Sequence, residues 1–327
     1  MASSKQLVGM IRSHAAGDDA RFLAIAEHIA EDARKAGRSH MADEIQALVT
    51  NLRSEVSSRR PSSPTPIAAP RGELAGLLRA SYPERRISDL VLSEALERRV
   101  WSIVREHRER GTLAANGLHP RRKLLLSGPP GTGKTMTAAA LAGELGLPLF
   151  TIMLDGVITK YMGETAAKLR LIFDAAQSAR GVYFFDEIDA LATQRGVEND
   201  IGEARRMLNS LLQFLDEDNS SSLLIAATNH PSLLDQAIFR RFDTALAYER
   251  PTSSEIRRVL MTHLERFKMT DIDWEVVEQT AEGLSQADLV AAGRDSARHA
   301  ILDHDGRINT NTLISALKDR AAITSLI

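Results

Sequence analysis

"KLLLSGPPGTGKTMTAAALAGELG", residues 123–146, decides the fold. An apolar run, Leu124–Leu126, gives way to glycine and proline, then to an alanine-rich stretch that stops at Gly146. That order reads as a buried strand, a tight loop and a helix. Gly128, Gly133, Lys134 and Thr135 fit G-x-x-x-x-G-K-[ST]. Glycines at this spacing let backbone N–H groups turn inward around phosphate oxygens. The N-terminus of the following helix adds its positive dipole end. Gly128, Pro129, Pro130, Gly131, Thr132, Gly133 and Met136 are therefore candidate phosphate-binding positions. Lys134 is placed to neutralise β- and γ-phosphate charge, and the Thr135 hydroxyl to hold Mg²⁺. The cofactors implied are ATP and Mg²⁺.

The flanking sequence repeats the strand–helix alternation. Further candidate strands are 147–154, 182–186, 223–229 and 245–249. They are short, continuous and apolar, as expected of a parallel sheet covered on both faces. Leu208, Leu211, Leu212 and Leu215 form one of the helical stripes between them. The expected fold class is α/β with five parallel strands. After Pro251 the strand pattern stops, and 251–327 reads as all-helical.

Three further segments carry candidate chemistry. "VYFFDEIDA" runs from apolar residues into Asp186 and Glu187 at a strand's carboxyl end, where ligands of open α/β sheets gather. Asp186 suits the Mg²⁺ shell and Glu187 suits polarising an attacking water. "AATNHP" ends the next strand, placing Asn229 between the phosphate loop and the two carboxylates. "AIFRRFD" presents Arg240 and Arg241 side by side, candidates for an arginine supplied to a neighbouring subunit's phosphates.

Residues 1–57 show two helical stripes, Phe22-Ile25-Ile29-Ala33 and Met41-Ile45-Leu48-Leu52-Val56, expected to form a small adaptor domain. Residues 58–72 are rich in proline and serine and read as a linker. The expected domains are then 1–57, 58–72, a nucleotide-binding part over 73–250 and a helical part over 251–327. The 327 residues carry 41 Lys+Arg against 43 Asp+Glu, so no global basic field invites nucleic acid. Cysteine is absent, which excludes disulfides and thiol catalysis and fits a reducing compartment. Without a long apolar run or a signal-like start, the expectation is a cytoplasmic protein with no membrane span.

Taken together, "GPPGTGKT", "YFFDEID", "ATN", "AIFRRFD", "EARRMLNSLLQFLD" and "GLSQADLVAAGRDSA" resemble the AAA family of ATPases over about 85–325. The resemblance implies a P-loop NTPase fold with a helical lid, ATP hydrolysis between subunits, and a homo-hexameric ring. It assigns Ala287 to the nucleotide site, as the position where other branches carry a sensor arginine. The family has Gly where Gln286 stands, and the segment around Ile87–Val91, where adenine contacts belong, is diverged. "KYMGE" resembles the pore loop of spastin, katanin and the vacuolar-sorting ATPases. That implies a protein client gripped by Lys160, Tyr161 and Met162, because an aromatic ring offers much contact area and few rotamers to freeze. A second pore loop is expected within 193–205. No H-E-x-x-H occurs, so a zinc protease site is not expected. The layout also resembles bacterial single-ring members, some of which accompany a subtilisin-like serine protease, which implies a separate protease partner. The leading expectation is a protein remodeller or unfoldase. The alternative is a nucleic-acid-associated or loader-type ATPase acting as a nucleotide switch.

Overall fold

The structure, a computed structural model, describes residues 70, 72–157, 164–189, 200–303 and 306–324, together with 30, 34 and 43; for 200–207 and 236 it describes the backbone alone. Met1–Pro66 and Ile67–Ile327 are separate compact units. In the first, Ala30, Arg34 and Asp43 are helical, and Arg34 pairs with Asp43 at 3.1 Å. The rest of the expected adaptor domain lies outside the described residues.

The second unit opens with strand β1 (Leu78–Ser81), then helices α1 (Glu94–Arg108) and α2 (Arg110–Ala115). Strand β2 (Lys123–Ser127) and helix α3 (Lys134–Leu145) follow, then β3 (Leu149–Ile152), α4 (Leu154–Val157) and α5 (Glu164–Ser178). Next come β4 (Val182–Phe185), α6 (Asp200–Glu217), β5 (Leu223–Thr228), α7 (Gln236–Phe239) and β6 (Thr244–Ala247). The C-terminal part holds α8 (Ser253–Leu264), β7 (Lys268–Met269), α9 (Trp274–Thr280), α10 (Gln286–Asp303), β8 (Arg307–Ile308) and α11 (Thr310–Thr324).

The large sheet has the order β1-β3-β4-β5-β2-β6. The five strands expected from the sequence are its parallel part, and β1 adds an antiparallel edge with Leu78 opposite Ile152. Side chains alternate across the pleat. Val182 and Phe184 join Leu124, Leu126, Leu223, Ile225 and Ala227 on one face, against α1 and α3. Tyr183 and Phe185 join Leu125, Leu224 and Ala226 on the other, against α5 and α6. Both faces are covered, which is why the central strands are apolar through their middles, β4 along its whole length and β2 between Lys123 and Ser127.

The C-terminal part buries its own core, with Leu260, Leu289, Ala292, Leu313 and Leu317 fully enclosed. It is not wholly helical as expected. β7 and β8 pair in parallel, Lys268 with Arg307 and Met269 with Ile308. Two-residue strands leave no periodicity to read, so only the tertiary pairing reveals them.

Candidate active site

The strand order brings the site together. β4, β5 and β2 are neighbours, so the segments leaving their carboxyl ends meet: Asp186-Glu187, Asn229 and the loop from Gly128. Two backbone bonds fix the junction, Gly128 N–H to the Thr228 carbonyl at 3.3 Å and Ile188 N–H to the Ala227 carbonyl at 3.0 Å.

The loop geometry requires its glycines. Gly128, Gly131 and Gly133 have φ of 149°, 73° and 98°. A Cβ at Gly128 would overlap the Tyr248 carbonyl oxygen, and one at Gly131 would stand 2.5 Å from Ser285 Oγ. Helix α3 therefore starts from left-handed Gly133, and Gly146, also left-handed, ends it. Thr132 Oγ1 donates to the Pro129 carbonyl at 2.8 Å and tightens the turn.

Lys134 is 6% exposed. Its ammonium donates to the carbonyls of Gly128 at 2.7 Å and Pro129 at 2.8 Å. Burial lowers its pKa from the usual lysine value, opposed by the charges of Asp186, Asp189 and Glu187. Thr135 Oγ1 donates to Asp186 Oδ2 at 2.9 Å, so the two expected Mg²⁺ ligands are in contact. Hard oxygen donors in this number suit Mg²⁺, which commonly takes one or two protein ligands and completes its shell with phosphates and water. Among the described residues no group of three or more His, Asp or Glu side chains is arranged to hold a metal by itself.

Glu187 is exposed beside this pair with φ 52°, a left-handed conformation rare for a non-glycine residue. Its N–H donates to Asp186 Oδ1 at 3.0 Å. Held strain of this kind, worth about 1–3 kcal/mol, clusters at functional sites. Asn229 is half-buried at the end of β5. Its N–H donates at 3.1 Å to Oδ1 of Asp189, a carboxylate only 7% exposed. Sequence reasoning left Asp189 without a role. The signal was a third acid after a fully apolar strand, where a buried carboxylate needs hydrogen-bonding partners.

The helical part closes over the loop. Ala287 N–H donates to the Gly131 carbonyl at 3.0 Å. Gln286 Nε2 donates to the Val91 carbonyl at 2.7 Å, and Arg258 Nη1 to the Leu92 carbonyl at 3.3 Å. The side chain that departs from the family pattern thus ties the lid to the diverged segment before α1. Ser285 and Asp288 bond reciprocally at the start of α10, fixing the approach of Ala287.

Arg240 and Arg241 are both exposed but differ in their contacts. Arg241 is ion-paired with Asp216 of α6. Arg240 makes no side-chain hydrogen bond or ion pair among the described residues. Lys160, Tyr161 and Met162, and residues 193–199 of the second expected loop, lie outside the described residues. Among those described, no helix is long and apolar enough to cross a membrane.

Comparison with known proteins agrees with this geometry. The sequence pattern of the AAA family, "ATPase family associated with various cellular activities", matches residues 124–250. A Sinorhizobium fredii protein, "Uncharacterized AAA family ATPase y4kL", is 35% identical over 98% of this chain and 96% of its own length. The "ATP-dependent zinc metalloprotease FtsH" of Pseudomonas putida is 39% identical over 55% of this chain, which corresponds to 31% of that protein. The solved AAA domain of FIGL-1 superposes with a TM-score of 0.60 over 74% of this chain and 85% of its own, at 23% identity, a likeness of fold.

Proposed function

Because the chain belongs to the AAA family of ATPases, whose general activity is ATP hydrolysis, we propose that it hydrolyses ATP in a ring and uses that energy to pull a protein client through the central pore. The observation that carries the hydrolytic reading is the junction of three strand ends. It joins Lys134, the Thr135–Asp186 contact, the strained Glu187 and Asn229 in one place. Lys134 and the loop N–H groups hold the phosphates. Thr135 and Asp186 would hold Mg²⁺, which supplies charge neutralisation on the β- and γ-oxygens when bound. Glu187 accepts the proton of the attacking water, and Asn229, set by Asp189, orients that water.

Arg240 completes the site from the neighbouring subunit, where it stabilises charge on the transferring phosphoryl group. Support comes from its exposed side chain beside an Arg241 already paired with Asp216. A head-to-tail interface that closes gives a ring, which we take to be the homo-hexamer of the family. Tyr161, flanked by Lys160 and Met162, grips the client in the pore, and residues 1–57 select it. Degradation of the client, where it follows, falls to a separate serine protease.

The test is a mixing experiment. Arg240→Ala and Glu187→Gln proteins should each release little phosphate alone. Combined, they should regain activity, because an Arg240→Ala subunit keeps its own Glu187 and receives an arginine from a Glu187→Gln neighbour. Mixtures as inactive as their components would refute an arginine acting between subunits.

A further inference from the structure

The edge of the sheet opposite the phosphate loop carries a cavity lined by several charged side chains. Its volume is about 910 Å³, and its lining includes Arg110, His119, Arg121, Arg122, Arg180 and Asp243. Arg122 precedes β2, Arg180 precedes β4, and Ser221 precedes β5. The cavity thus sits at the amino ends of the strands whose carboxyl ends form the ATP site. At a rise of about 3.3 Å per residue, the strands separate the two by roughly 15 Å.

The charges here do not balance. Arg121 is paired with Glu106, and Arg122 with the fully buried Asp218. The Asp243 carboxylate accepts the N–H groups of Arg122 and Lys123 at 2.8 and 2.9 Å. Among the described residues neither Arg110 nor Arg180 has a carboxylate within ion-pair distance. The Arg180 side chain donates there only from Nε, to the Ser221 carbonyl at 3.3 Å. Burial lowers the Arg180 pKa, and the charge of Arg110 lowers it further. Capping of α5 does not explain Arg180. The hydroxyl of Tyr183 donates to the carbonyls of Ala175 and Ala179, and that of Ser222 to Ala176.

We propose that this cleft binds a small molecule carrying at least two phosphate charges, at a site separate from the ATP site. A half-buried guanidinium near a second cation is unfavourable until an anion joins them. Guanidinium forks match phosphate oxygens bidentately, and the two arginines without an ion pair, Arg110 and Arg180, outnumber the one lining carboxylate, Asp243, so the cleft offers two guanidinium forks for phosphate oxygens. The volume falls within the roughly 300–1,000 Å³ of small-molecule sites. The phosphates could be those of an inorganic polyphosphate or of a nucleotide, and the test separates the two.

Full-length Lys134→Ala protein, disabled at the ATP site, is titrated calorimetrically at fixed ionic strength with tripolyphosphate, with ADP and with a hexaglutamate peptide. The expected result is saturable binding of tripolyphosphate, weakened roughly tenfold or more when Arg110→Ala or Arg180→Ala is added, as for loss of a charge-assisted hydrogen bond. ADP binding with the same arginine dependence places nucleotides among the ligands. Its absence beside tripolyphosphate binding leaves inorganic polyphosphate. Arg110 is exposed, so its variant keeps the fold, and without added anion it should melt slightly higher because a like charge has gone. No saturable binding of either phosphate compound, affinities indifferent to both arginines, or tighter binding of hexaglutamate would overturn the assignment. The inference does not rest on the ring or pore reading and can fail without it.

Discussion

Gly143→Ala is expected to destabilise the protein, although alanine is the best helix former and Gly143 lies inside α3. The propensity gain is about 1 kcal/mol. Against it stands the backbone of the segment that crosses α3. A Cβ at Gly143 would overlap the Arg85 carbonyl oxygen, 3.0 Å from the Pro83 carbonyl oxygen and 3.2 Å from the Arg85 carbonyl carbon. These atoms cannot rotate aside as a side chain would. The segment is also pinned, by Arg86 Nη1 to the Gly143 carbonyl at 2.7 Å and by Ile87, 1% exposed. Overpacking typically costs about 1–3 kcal/mol, and loosening Ile87 forfeits part of the roughly 1.5–3 kcal/mol its burial contributes. The net is a loss of about 1–3 kcal/mol. Gly293→Ala in α10 is the control. Its new methyl would meet Leu260 and Leu264 at 3.7 Å, ordinary contact. Propensity and a buried methyl, near 0.8 kcal/mol, should together stabilise by about 1–2 kcal/mol. Denaturant melts of parent and both variants measure the two signs. A Gly143→Ala protein as stable as its parent would refute the steric reasoning.

Three other outcomes follow from named contacts. Arg240→Ala should lower ATP turnover by on the order of 10³ with binding intact, whereas Arg241→Ala, which breaks an exposed pair with Asp216, should change stability by at most about 1 kcal/mol; phosphate release and melting of both variants check this, and the reverse ranking would move the finger to Arg241. Asp189→Ala should leave ATP affinity unchanged and reduce kcat roughly 10- to 100-fold by releasing Asn229, as small misplacements do; equal loss of affinity in a nucleotide-binding assay would count against a positioning role. Burial, helped by the charges of Arg180 and Arg110, outweighs the bond to the Arg121 carbonyl and lowers the His107 pKa from 6.5. The unfolded chain therefore takes up a proton that the fold refuses, so this stability is present above pH 6.5 and is lost as pH falls toward the folded value. Denaturant melts across that range should show a flatter acid-side loss in His107→Gln.

Some of this architecture could be read from the chain and some could not, for physical reasons. β2 to β5 were legible because strands buried on both faces carry mainly apolar residues, as all four residues of β4 are, while β6, half-exposed at the sheet edge, shows only as a short run of small and apolar residues. β1 was not, because only Leu78 of its "LRAS" is buried and its place depends on backbone pairing to β3. The phosphate loop and Asp186 carry their chemistry in residue type and spacing. Asp189 does not: its bond to Asn229 spans forty positions and exists only because β4 and β5 are neighbours. The Gln286 departure is visible in the sequence, but the carbonyl it reaches, that of Val91, is 195 positions away. Likewise nothing in "FRRFD" distinguishes its two arginines until Asp216 takes one of them.

Protein remodelling powered by ATP at this site is tested most directly by a substrate trap. Tagged Glu187→Gln protein is held in ATP, and bound proteins are identified by mass spectrometry, with Glu187→Gln/Tyr161→Ala as the comparison. The expected result is retained ATP, no phosphate release, and at least one protein captured by the single variant and lost from the double. Phosphate release at the parent rate, or a captured set unchanged by the loss of Tyr161, would contradict it.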